Sequence, residues 1–344
     1  MKICHINLAR EFGGSERQTE LLIRALAPKP VRQILLTHPS SPLLTRLADI
    51  NNLEFRPARG PGLLRFSKCQ HCDILHAHEI NGALLAYIAH KRYRIPFALS
   101  SRYFSPPEKH PLAKAIFSNV DLVFARSRRI EQILRQWKPD LAIRTIPTMC
   151  AHLKITESFR EINARYAGKF VIGASDCHSG KTDSGLFTWI EAARQLSARH
   201  PDMRFVIIGA DRTERAVGQL TEGLPIDILA PKRNLGDYLN CLDLYVATSS
   251  HHTIQTLLVD AMEQEIPIIA TDFEDARSLI QDQINGALVP SGSAGALVRE
   301  IERLYLDADL RQQLVVESRH RVQQHFPELL CERYYESYQD LLPR

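Results

Sequence analysis

Short runs of apolar, often β-branched residues alternate with amphipathic helical segments along almost the whole chain. The apolar runs are mostly continuous, as in KICHINLA (residues 2–9), RQILLTH (32–38) and MRFVIIGA (203–210). Continuous apolar strands are typical of a parallel sheet that is buried on both faces. Strands that alternate with helices predict an α/β fold built from doubly wound, Rossmann-like domains.

The alternation occurs in two series. The first series ends with AIRTIPT (142–148), and the second begins with KFVIGAS (169–175). Residues 150–168 show a weaker pattern, which predicts a linker or a short irregular helix. A chain of 344 residues has room for two domains of roughly 100–200 residues each. We therefore expect two domains that join near residue 160, and a helical C-terminal end.

Composition excludes several classes of protein. Hydrophobic residues make up 44% of the chain and charged residues 24%, which is ordinary for a folded soluble domain. No stretch approaches about 18 uninterrupted apolar residues, so we expect no transmembrane helix. The N-terminal MKICHINLAREF (1–12) meets a charge and a turn too early for a signal peptide and is interpreted as a first strand. A cytoplasmic protein is expected.

The seven cysteines predict free thiols and no metal. Their number is odd and their spacing forms no framework, which favours reduced thiols. The cluster CQHCDILHAH (69–78) offers zinc ligand types. A strand over residues 73–78 would place those ligands on two opposite faces, whereas zinc needs four that converge.

Net charge is distributed unevenly. Residues 1–150 contain 23 Lys and Arg against 11 Asp and Glu, a net charge of +12, whereas the remainder carries −8. The excess indicates an anionic partner such as a membrane surface or a phosphorylated lipid acceptor. A solvated basic face is an equally simple interpretation. The basic residues are dispersed and accompany no recognition motif, so no nucleic-acid partner is expected.

Several sequence elements occur in the order and spacing of one known family. They are Gly13-Gly14 after the first strand, DILHAH (73–78), DLVFARS (121–127), VIIG (206–209), LDLYVATSS (242–250), LLVDAM (257–262), IPIIATD (266–272) and NGALVP (285–290). The chain resembles a GT-B glycosyltransferase of the retaining family 4, also called glycosyl transferases group 1. Its first half is most similar to bacterial members that build lipopolysaccharide core.

The resemblance implies a complete architecture. Two Rossmann-like doubly wound domains would face each other across a cleft, with an acceptor-binding domain over residues 1–160 and a nucleotide-sugar-binding domain over 161–325. Residues 326–344 would form a last helix that crosses back onto the first domain. The implied activity is retaining transfer of a sugar from a nucleotide-sugar to a bacterial surface-glycan or glycolipid acceptor. The family needs no cofactor and usually no metal.

The resemblance also implies a donor site around the SSHHTIQTLLVDAM segment (249–262). Family members carry two acids eight residues apart, one that contacts the donor sugar and one that grips the ribose hydroxyls. Here these positions hold His252 and Asp260. A neutral histidine donates or accepts one hydrogen bond, but it cannot be the anion that stabilises a developing oxocarbenium ion. We therefore predict His252 as an altered catalytic contact and Asp260 as the ribose contact.

The diphosphate of the donor needs positive potential. The N-terminus of a helix supplies it through free N–H groups, which predicts binding at Thr253, Ile254, Gln255 and Thr256. The family turn is usually glycine-rich, so β-branched residues should crowd it here. Three bases in neighbouring loops are candidates to neutralise the same charge, namely Lys181, Lys232 and Arg233. For Lys181 a solvated loop lysine is an equally good interpretation.

Acceptor contacts are predicted after the first strand. Gly13-Gly14 would let the chain turn and approach a substrate, although a plain turn explains the pair as well. Glu16 and Arg17 open the next helix and are candidate contacts. A glutamate also suits a helix N-terminus for purely structural reasons.

Further acceptor contacts are predicted after later strands. His76 and His78 share one face at the carboxyl end of their strand, and His78 is a candidate catalytic contact to the sugar or to an acceptor hydroxyl. Arg102 is a candidate for a phosphate on the acceptor, because its guanidinium is a fork-shaped donor. A structural histidine and a surface arginine are the alternatives. The C-terminal tyrosines Tyr334, Tyr335 and Tyr338 are interpreted as packing residues.

Two functional hypotheses are favoured at the level of sequence, and a GT-B sugar-nucleotide epimerase or phosphorylase is a third that no motif supports. An active glycosyltransferase is favoured by the order of elements, the basic first half and Asp260. A GT-B protein with impaired catalysis, acting as a glycan-binding or scaffold subunit, is favoured by His252 and the crowded turn. Loss of one transition-state contact lowers a rate by roughly 10²–10³ and does not abolish it, so the active enzyme is preferred.

Overall fold

The fold is known from a computed structural model. The described residues are 1–58, 67–101, 110–175, 184–208, 218, 220–229, 235–248 and 254–342. They contain no helix with both the length and the apolar composition that a membrane crossing requires.

The chain forms two compact units. Unit 1 comprises Met1–Met149 and His325–Arg344, and unit 2 comprises Cys150–Gln324. The chain therefore leaves unit 1 after one α/β series and returns to it for its last helix. The binding roles predicted for residues 1–160, 161–325 and 326–344 stay predictions.

Unit 1 contains a seven-stranded, all-parallel sheet in the order β3-β2-β1-β4-β5-β6-β7. The strands are β1 (Lys2–Asn7), β2 (Arg32–Thr37), β3 (Leu53–Pro57), β4 (Ile74–Ala77), β5 (Phe97–Ser101), β6 (Leu122–Ala125) and β7 (Ile143–Thr145). Helices that connect or cover them are α1 (Gly14–Leu26), α2 (Leu43–Arg46), α3 (Ile80–Tyr93), α4 (Pro111–Asn119) and α5 (Arg128–Trp137).

Unit 2 contains a six-stranded, all-parallel sheet in the order β10-β9-β8-β11-β12-β13. Its strands are β8 (Phe170–Ser175), β9 (Met203–Ile208), β10 (Ile226–Leu229), β11 (Leu244–Ala247), β12 (Ile268–Thr271) and β13 (Ala287–Val289). Its helices within the described ranges are α6 (Ser158–Ala164), α7 (Ser184–Ser197), α8 (Leu235–Leu239), α9 (Ile254–Glu263), α10 (Glu274–Arg277), α11 (Ala294–Leu306) and α12 (Ala308–Val322). After a short 3₁₀ turn, α13 (Pro327–Leu341) belongs to unit 1.

The predicted α/β class with two parallel sheets is confirmed. In each sheet the strand order reverses once, between β1 and β4 in unit 1 and between β8 and β11 in unit 2. Such a reversal leaves a crevice at the carboxyl ends of the two strands, where open α/β sheets bind their ligands. The two crevices are therefore the expected ligand-binding sites of the two units.

Several local predictions were wrong or incomplete. No strand was predicted at β3 or β13, and no helix at α4. Neither strand shows a long apolar run, because β3 includes Glu54, Arg56 and Pro57 and β13 is only three residues long. The segment SPLLTRLADI (41–50), whose pattern predicts a longer helix, forms only the single turn α2, and α1 begins at Gly14.

The C-terminal helix α13 completes the core of unit 1. Leu330 and Tyr338 are fully buried in a cluster that also contains Ile3 of β1, Leu22 of α1 and Phe124 of β6. This agrees with the interpretation of the C-terminal tyrosines as packing residues. Burying an aromatic side chain in this way stabilises the fold by roughly 1.5–3 kcal/mol.

Candidate functional site

The reversal point of unit 1 lies where β1 ends at Asn7 and β4 ends at Ala77. Helix α3 begins directly after β4 and packs close to the end of β1. A side-chain carbon added at Gly82 would lie 2.8 Å from the Ile6 carbonyl oxygen. Glycine is therefore required here because the first turn of α3 touches the backbone of β1.

Glu79 closes the N-terminus of α3. One carboxylate oxygen accepts hydrogen bonds from the N–H groups of Leu8 (3.0 Å) and Gly82 (2.6 Å), and the other accepts one from Asn81 (2.5 Å). A helix N-terminus attracts anions, so a phosphate would compete with this carboxylate. At this helix the anion position is filled by the protein itself.

The Gly-Gly loop leads into α1, where Glu16 has a similar task. Its carboxylate accepts hydrogen bonds from the Gly13 N–H (3.0 Å) and from the Asn7 side-chain amide (3.3 Å). Glu16 is buried, and Arg17 is half-buried in the same turn. The structure thus brings the predicted residues Gly13, Gly14, Glu16 and Arg17 to the end of β1, and it gives Glu16 a structural role there. Whether they contact an acceptor stays a prediction.

Three buried histidines, His5, His76 and His78, lie side by side behind the reversal point. The His5 and His78 rings are hydrogen-bonded, with 3.0 Å between Nδ1 of His5 and Nε2 of His78. The His76 and His78 ring centroids are 4.0 Å apart. Burial lowers the pKa of His5 to about 4, partly offset by a hydrogen bond with Gln33. Burial, reinforced by His5, also holds the pKa of His76 well below its usual value.

The ring nitrogens of the three histidines are close enough to suggest a metal site, but most of them already have partners. His5 Nε2 lies 3.1 Å from the Gln33 side-chain oxygen. The two nitrogens of His76 lie 2.7 Å from the Tyr338 hydroxyl and 2.8 Å from the Ser100 hydroxyl. Binding a metal would break these bonds. We therefore interpret the cluster as a hydrogen-bonded network.

A cavity of about 30 Å³ opens on His78 at the carboxyl ends of β4, β5 and β6. Its lining includes Ser101, the half-buried Arg126 and Tyr334 of α13. The Ser101 hydroxyl is buried and has no hydrogen-bond partner among the described residues. Buried hydroxyls are normally satisfied, so this group is suited to a ligand or a water. The cavity therefore marks the polar end of a candidate acceptor site.

Sequence reasoning missed four residues of this site: His5, Gln33, Glu79 and Arg126. His5 and Gln33 lie inside the otherwise apolar strands β1 and β2. A polar residue within a continuous apolar run was the available signal, since buried polar groups require partners. The predicted residue Arg102 lies outside the described residues.

In unit 2 the candidate site is helix α9, which follows the reversal strand β11. The predicted residues Ile254, Gln255 and Thr256 form its first turn, and Thr256 is buried. Asp260 lies one turn later and is fully buried, with one oxygen accepting a hydrogen bond from the Ala151 N–H at 2.9 Å. The hydrogen bond to Ala151 gives Asp260 a structural role. Its contact with the ribose stays a prediction.

The remaining donor-site predictions concern positions in the loops after the strands of unit 2. His252, Lys181, Lys232, Arg233 and Thr253 lie outside the described residues. The side chains of Ile254 and Gln255 are outside them as well.

A second group of metal-ligand types lies next to Asp260. The thiol of Cys150, the imidazole of His152 and the carboxylate of Glu263 approach one another within 4.8 Å. His152 already forms an ion-pair geometry with Glu263. Burial, together with the charges of Glu263 and Asp260, raises the pKa of the Cys150 thiol. A metal would have to displace a thiol proton that this environment strongly retains.

Comparison with known proteins agrees with this architecture. The family model described as "Glycosyl transferases group 1" matches residues 178–307. The lipopolysaccharide core biosynthesis glycosyltransferase LpsE of Rhizobium meliloti (strain 1021) is 22% identical over 324 residues, which cover 91% of this chain and 92% of LpsE. The putative glycosyltransferase EpsD of Bacillus subtilis (strain 168) is 31% identical over 134 residues, 38% of this chain and 35% of EpsD.

A solved structure extends the likeness to the whole chain. The crystal structure of Anabaena Alr3699/HepE in complex with UDP and glucose superposes with a TM-score of 0.84 at 17% sequence identity. The superposition covers 98% of this chain and 99% of HepE. The chain therefore has the GT-B fold of these glycosyltransferases, and its residues 178–307 match the glycosyl transferases group 1 family model.

Proposed function

We propose that the chain is a retaining glycosyltransferase that moves a sugar from a nucleotide-sugar donor to a bacterial surface-glycan acceptor, such as lipopolysaccharide core. The observation that carries this proposal is the family match over residues 178–307, which includes α9 and Asp260. The likeness to LpsE over nearly the full length of both chains supports the class of acceptor.

The donor would bind at the reversal point of unit 2. The first turn of α9 offers N–H groups to the diphosphate, and Lys181, Lys232 and Arg233 would supply positive charge in the neighbouring loops. Asp260 would accept hydrogen bonds from the ribose, and His252 would contact the donor sugar. Because N–H groups and cationic side chains neutralise the leaving group, we propose that transfer needs no metal or cofactor.

The acceptor would bind at the reversal point of unit 1. His78, Ser101 and Arg126 line the cavity there, so the site offers an imidazole, a hydroxyl and a guanidinium. Sugar hydroxyls suit the first two groups, and a phosphate on the acceptor suits the third. Arg102, close in sequence to Ser101, is a second candidate for such a phosphate.

One observation favours the alternative of a catalytically impaired scaffold protein. The carboxylate of Asp260 is fully buried and already holds the Ala151 N–H. This hydrogen bond explains the presence of Asp260 even in a protein that no longer binds a donor. Together with His252 in the place of an acid, this makes nucleotide binding the property to measure first.

Calorimetric titration with UDP, GDP and ADP tests the donor site. UDP is the first ligand because HepE binds it in its crystal structure. We expect binding of one nucleotide in the micromolar range. Absence of binding at millimolar nucleotide by the folded protein would favour the scaffold alternative.

Two variants separate the two duties of Asp260. Asp260→Asn keeps an oxygen for the Ala151 N–H, whereas Asp260→Ala leaves that N–H without an acceptor. If Asp260 binds the ribose, both variants weaken nucleotide binding by about tenfold or more, since each removes a charged acceptor. Only the Ala variant should also destabilise unit 2, by about 1–3 kcal/mol. Unchanged nucleotide affinity in the Asn variant would limit Asp260 to a structural role.

Residue 252 and the basic loops need separate tests. If His252 contacts the donor sugar, we expect His252→Ala to lower turnover of the folded protein by roughly 10²–10³-fold. His252→Glu should raise activity if the site still binds the donor and lacks only the acid. No change of activity in either variant would show that His252 takes no part in the chemistry.

Lys181→Ala should weaken nucleotide binding, because it removes a positive charge proposed to lie near the diphosphate. Lys154→Ala removes the same charge from an exposed position in unit 2 and should leave nucleotide binding unchanged.

The charge of the first half supports a location at the inner face of the cytoplasmic membrane. Residues 1–150 carry a net charge of +12, and anionic lipid headgroups attract such a surface. Vesicles with anionic lipid should bind the protein at low salt and release it at high salt, whereas neutral vesicles should not bind it. Equal binding to both kinds of vesicle would contradict an electrostatic contact.

A further inference from the structure

A buried chain of hydrogen bonds runs through unit 1 to His78. It begins at the Ile23 carbonyl of α1, which lies 3.0 Å from the Gln33 side-chain nitrogen. The Gln33 side-chain oxygen lies 3.1 Å from His5 Nε2, and His5 Nδ1 lies 3.0 Å from His78 Nε2. The side chains of Gln33, His5 and His78 are all buried.

We propose that Gln33 and His5 are positioning residues, which hold His78 in the tautomer that carries its proton on Nε2 and its lone pair on Nδ1. His78 then offers a hydrogen-bond acceptor, not a donor, to a bound molecule. The ligand group that it fits is a hydroxyl, as on a sugar, and not a phosphate or carbonyl oxygen. This inference rests on the proposed function only in taking His78 as a substrate contact.

The first step is the orientation of Gln33. A backbone carbonyl oxygen only accepts hydrogen bonds, so the side-chain nitrogen of Gln33 must face Ile23. The side-chain oxygen of Gln33 must then face His5. The amide orientation, which is normally an inference from neighbours, is fixed here by the main chain.

The second step is the tautomer of His5. An amide oxygen only accepts, so His5 Nε2 must carry a hydrogen. The ring nitrogens of His5 contact an amide oxygen and an imidazole rather than a carboxylate, and the side chain is fully buried. Burial lowers its pKa to about 4, so the ring is neutral at pH 7 and has one N–H only. Its Nδ1 therefore carries a lone pair.

The third step is the tautomer of His78, that is, which of its ring nitrogens carries the hydrogen. The lone pair on His5 Nδ1 needs a donor, and the atom at 3.0 Å is His78 Nε2, which must carry the hydrogen. The tautomer of His78 that satisfies this contact has its lone pair on Nδ1. By contrast, both partners of His76 are hydroxyls, from Tyr338 and Ser100, which donate or accept equally well. The polarity of His78 is thus dictated, whereas that of His76 is not.

The direct test is nitrogen NMR of the full chain labelled with ¹⁵N-histidine, recorded at pH 7 without substrate. The chemical shift of each ring nitrogen distinguishes a protonated from an unprotonated atom, and the signal absent from His78→Ala identifies His78. We expect His78 with a protonated Nε2 and an unprotonated Nδ1. A wild-type His78 that carries its proton on Nδ1 overturns the inference.

The second test removes the start of the chain. Gln33→Met keeps the length of the side chain and removes its amide, so His5 can change tautomer and His78 should become a mixture. Asn52→Leu is the matched control, since Asn52 also donates to backbone carbonyls in unit 1, at Ala27 (3.0 Å) and Val31 (3.1 Å). The control should leave the His78 signals unchanged. An unchanged His78 in a folded Gln33→Met protein would refute the relay, and if that variant does not fold, the wild-type spectrum decides.

Kinetics then connects the relay to catalysis. In Gln33→Met we expect kcat for transfer to fall on the order of 10- to 100-fold, as when other functional histidines lose the partner that fixes their tautomer. The KM for the nucleotide-sugar should not change, because the donor is proposed to bind in unit 2. Unchanged kcat with an altered tautomer would show that His78 polarity is irrelevant to transfer. The NMR result stands without any enzymatic activity, so failure of the relay and failure of the proposed function are distinguishable.

Discussion

Replacing Glu79 should destabilise unit 1 more than its half-exposed position suggests. Its carboxylate accepts three backbone hydrogen bonds, from Leu8, Asn81 and Gly82, at 2.5–3.0 Å. Two of them cap α3, and the third ties the end of β1 to that helix. Glu79 follows His78 directly, so the same residue also sets the position of the candidate site.

The size of the effect follows from these contacts. Loss of an N-terminal cap weakens a helix by about 1–2 kcal/mol. A partly buried N–H at Leu8 left without an acceptor adds about 1–3 kcal/mol. We therefore expect Glu79→Ala to lower the free energy of unfolding of unit 1 by about 2–5 kcal/mol. Glu79→Gln keeps an accepting oxygen and should lose about 1–2 kcal/mol.

The chain has two tryptophans, which allow each unit to be followed separately. Trp137 belongs to unit 1 and Trp189 to unit 2. In a Trp189→Phe background, fluorescence during urea unfolding reports unit 1, and in a Trp137→Phe background it reports unit 2. Separate reporters are needed because a protein with two units need not unfold in one transition.

The expected outcome is specific to one reporter. Glu79→Ala should shift the unit 1 transition seen by Trp137 and leave the unit 2 transition seen by Trp189 in place. A loss below about 0.5 kcal/mol in unit 1 would refute the reasoning, because that is the range of ordinary surface substitutions. In that case the three backbone contacts would not stabilise the folded state.

Two further changes test the same region with the same reporters. Gly82→Ala should destabilise unit 1 by about 1–3 kcal/mol, since the new carbon would lie 2.8 Å from the Ile6 carbonyl oxygen. Gly295→Ala is the control and should be neutral or mildly stabilising, because its new carbon would meet only a side-chain atom at 3.7 Å. Equal losses of stability in both variants would contradict the packing argument. Unit 1 should also lose stability as the pH falls from about 6.5 to about 4, because unfolded His5 binds a proton in this range and buried His5 does not. His5 alone should contribute about 3 kcal/mol to this loss, at 1.36 kcal/mol per pH unit, and His76, whose pKa is also lowered, adds to it. The loss should shrink in His5→Asn, and an unchanged pH profile in that variant would assign the effect elsewhere.

Regular patterns made much of the fold predictable. The strands with continuous apolar runs, such as β1, β4 and β11, were located from the sequence because burial on both faces leaves a local mark. The strands β3 and β13 were missed because charged residues and a proline interrupt the first and because the second is only three residues long.

The candidate site was predicted less completely than the fold. His78 and Asp260 stand out in sequence through their place after a strand and in a helix. Their partners His5 and Ala151, and Gln33, which hydrogen-bonds to His5, are distant in sequence and of ordinary type, so no spacing rule reveals them.

The sequence by itself determined the α/β class, the two parallel sheets and the resemblance to the glycosyl transferases group 1, because periodicity and motif order are properties of neighbouring residues. Only the tertiary structure decided that Glu79 fills the N-terminus of α3, that Asp260 holds a backbone N–H, and that a main-chain carbonyl at Ile23 sets the polarity of His78. These contacts join residues of different elements, and a hydrogen bond depends on the distance and direction between two groups in space. Such geometry exists only once the strands and helices have packed.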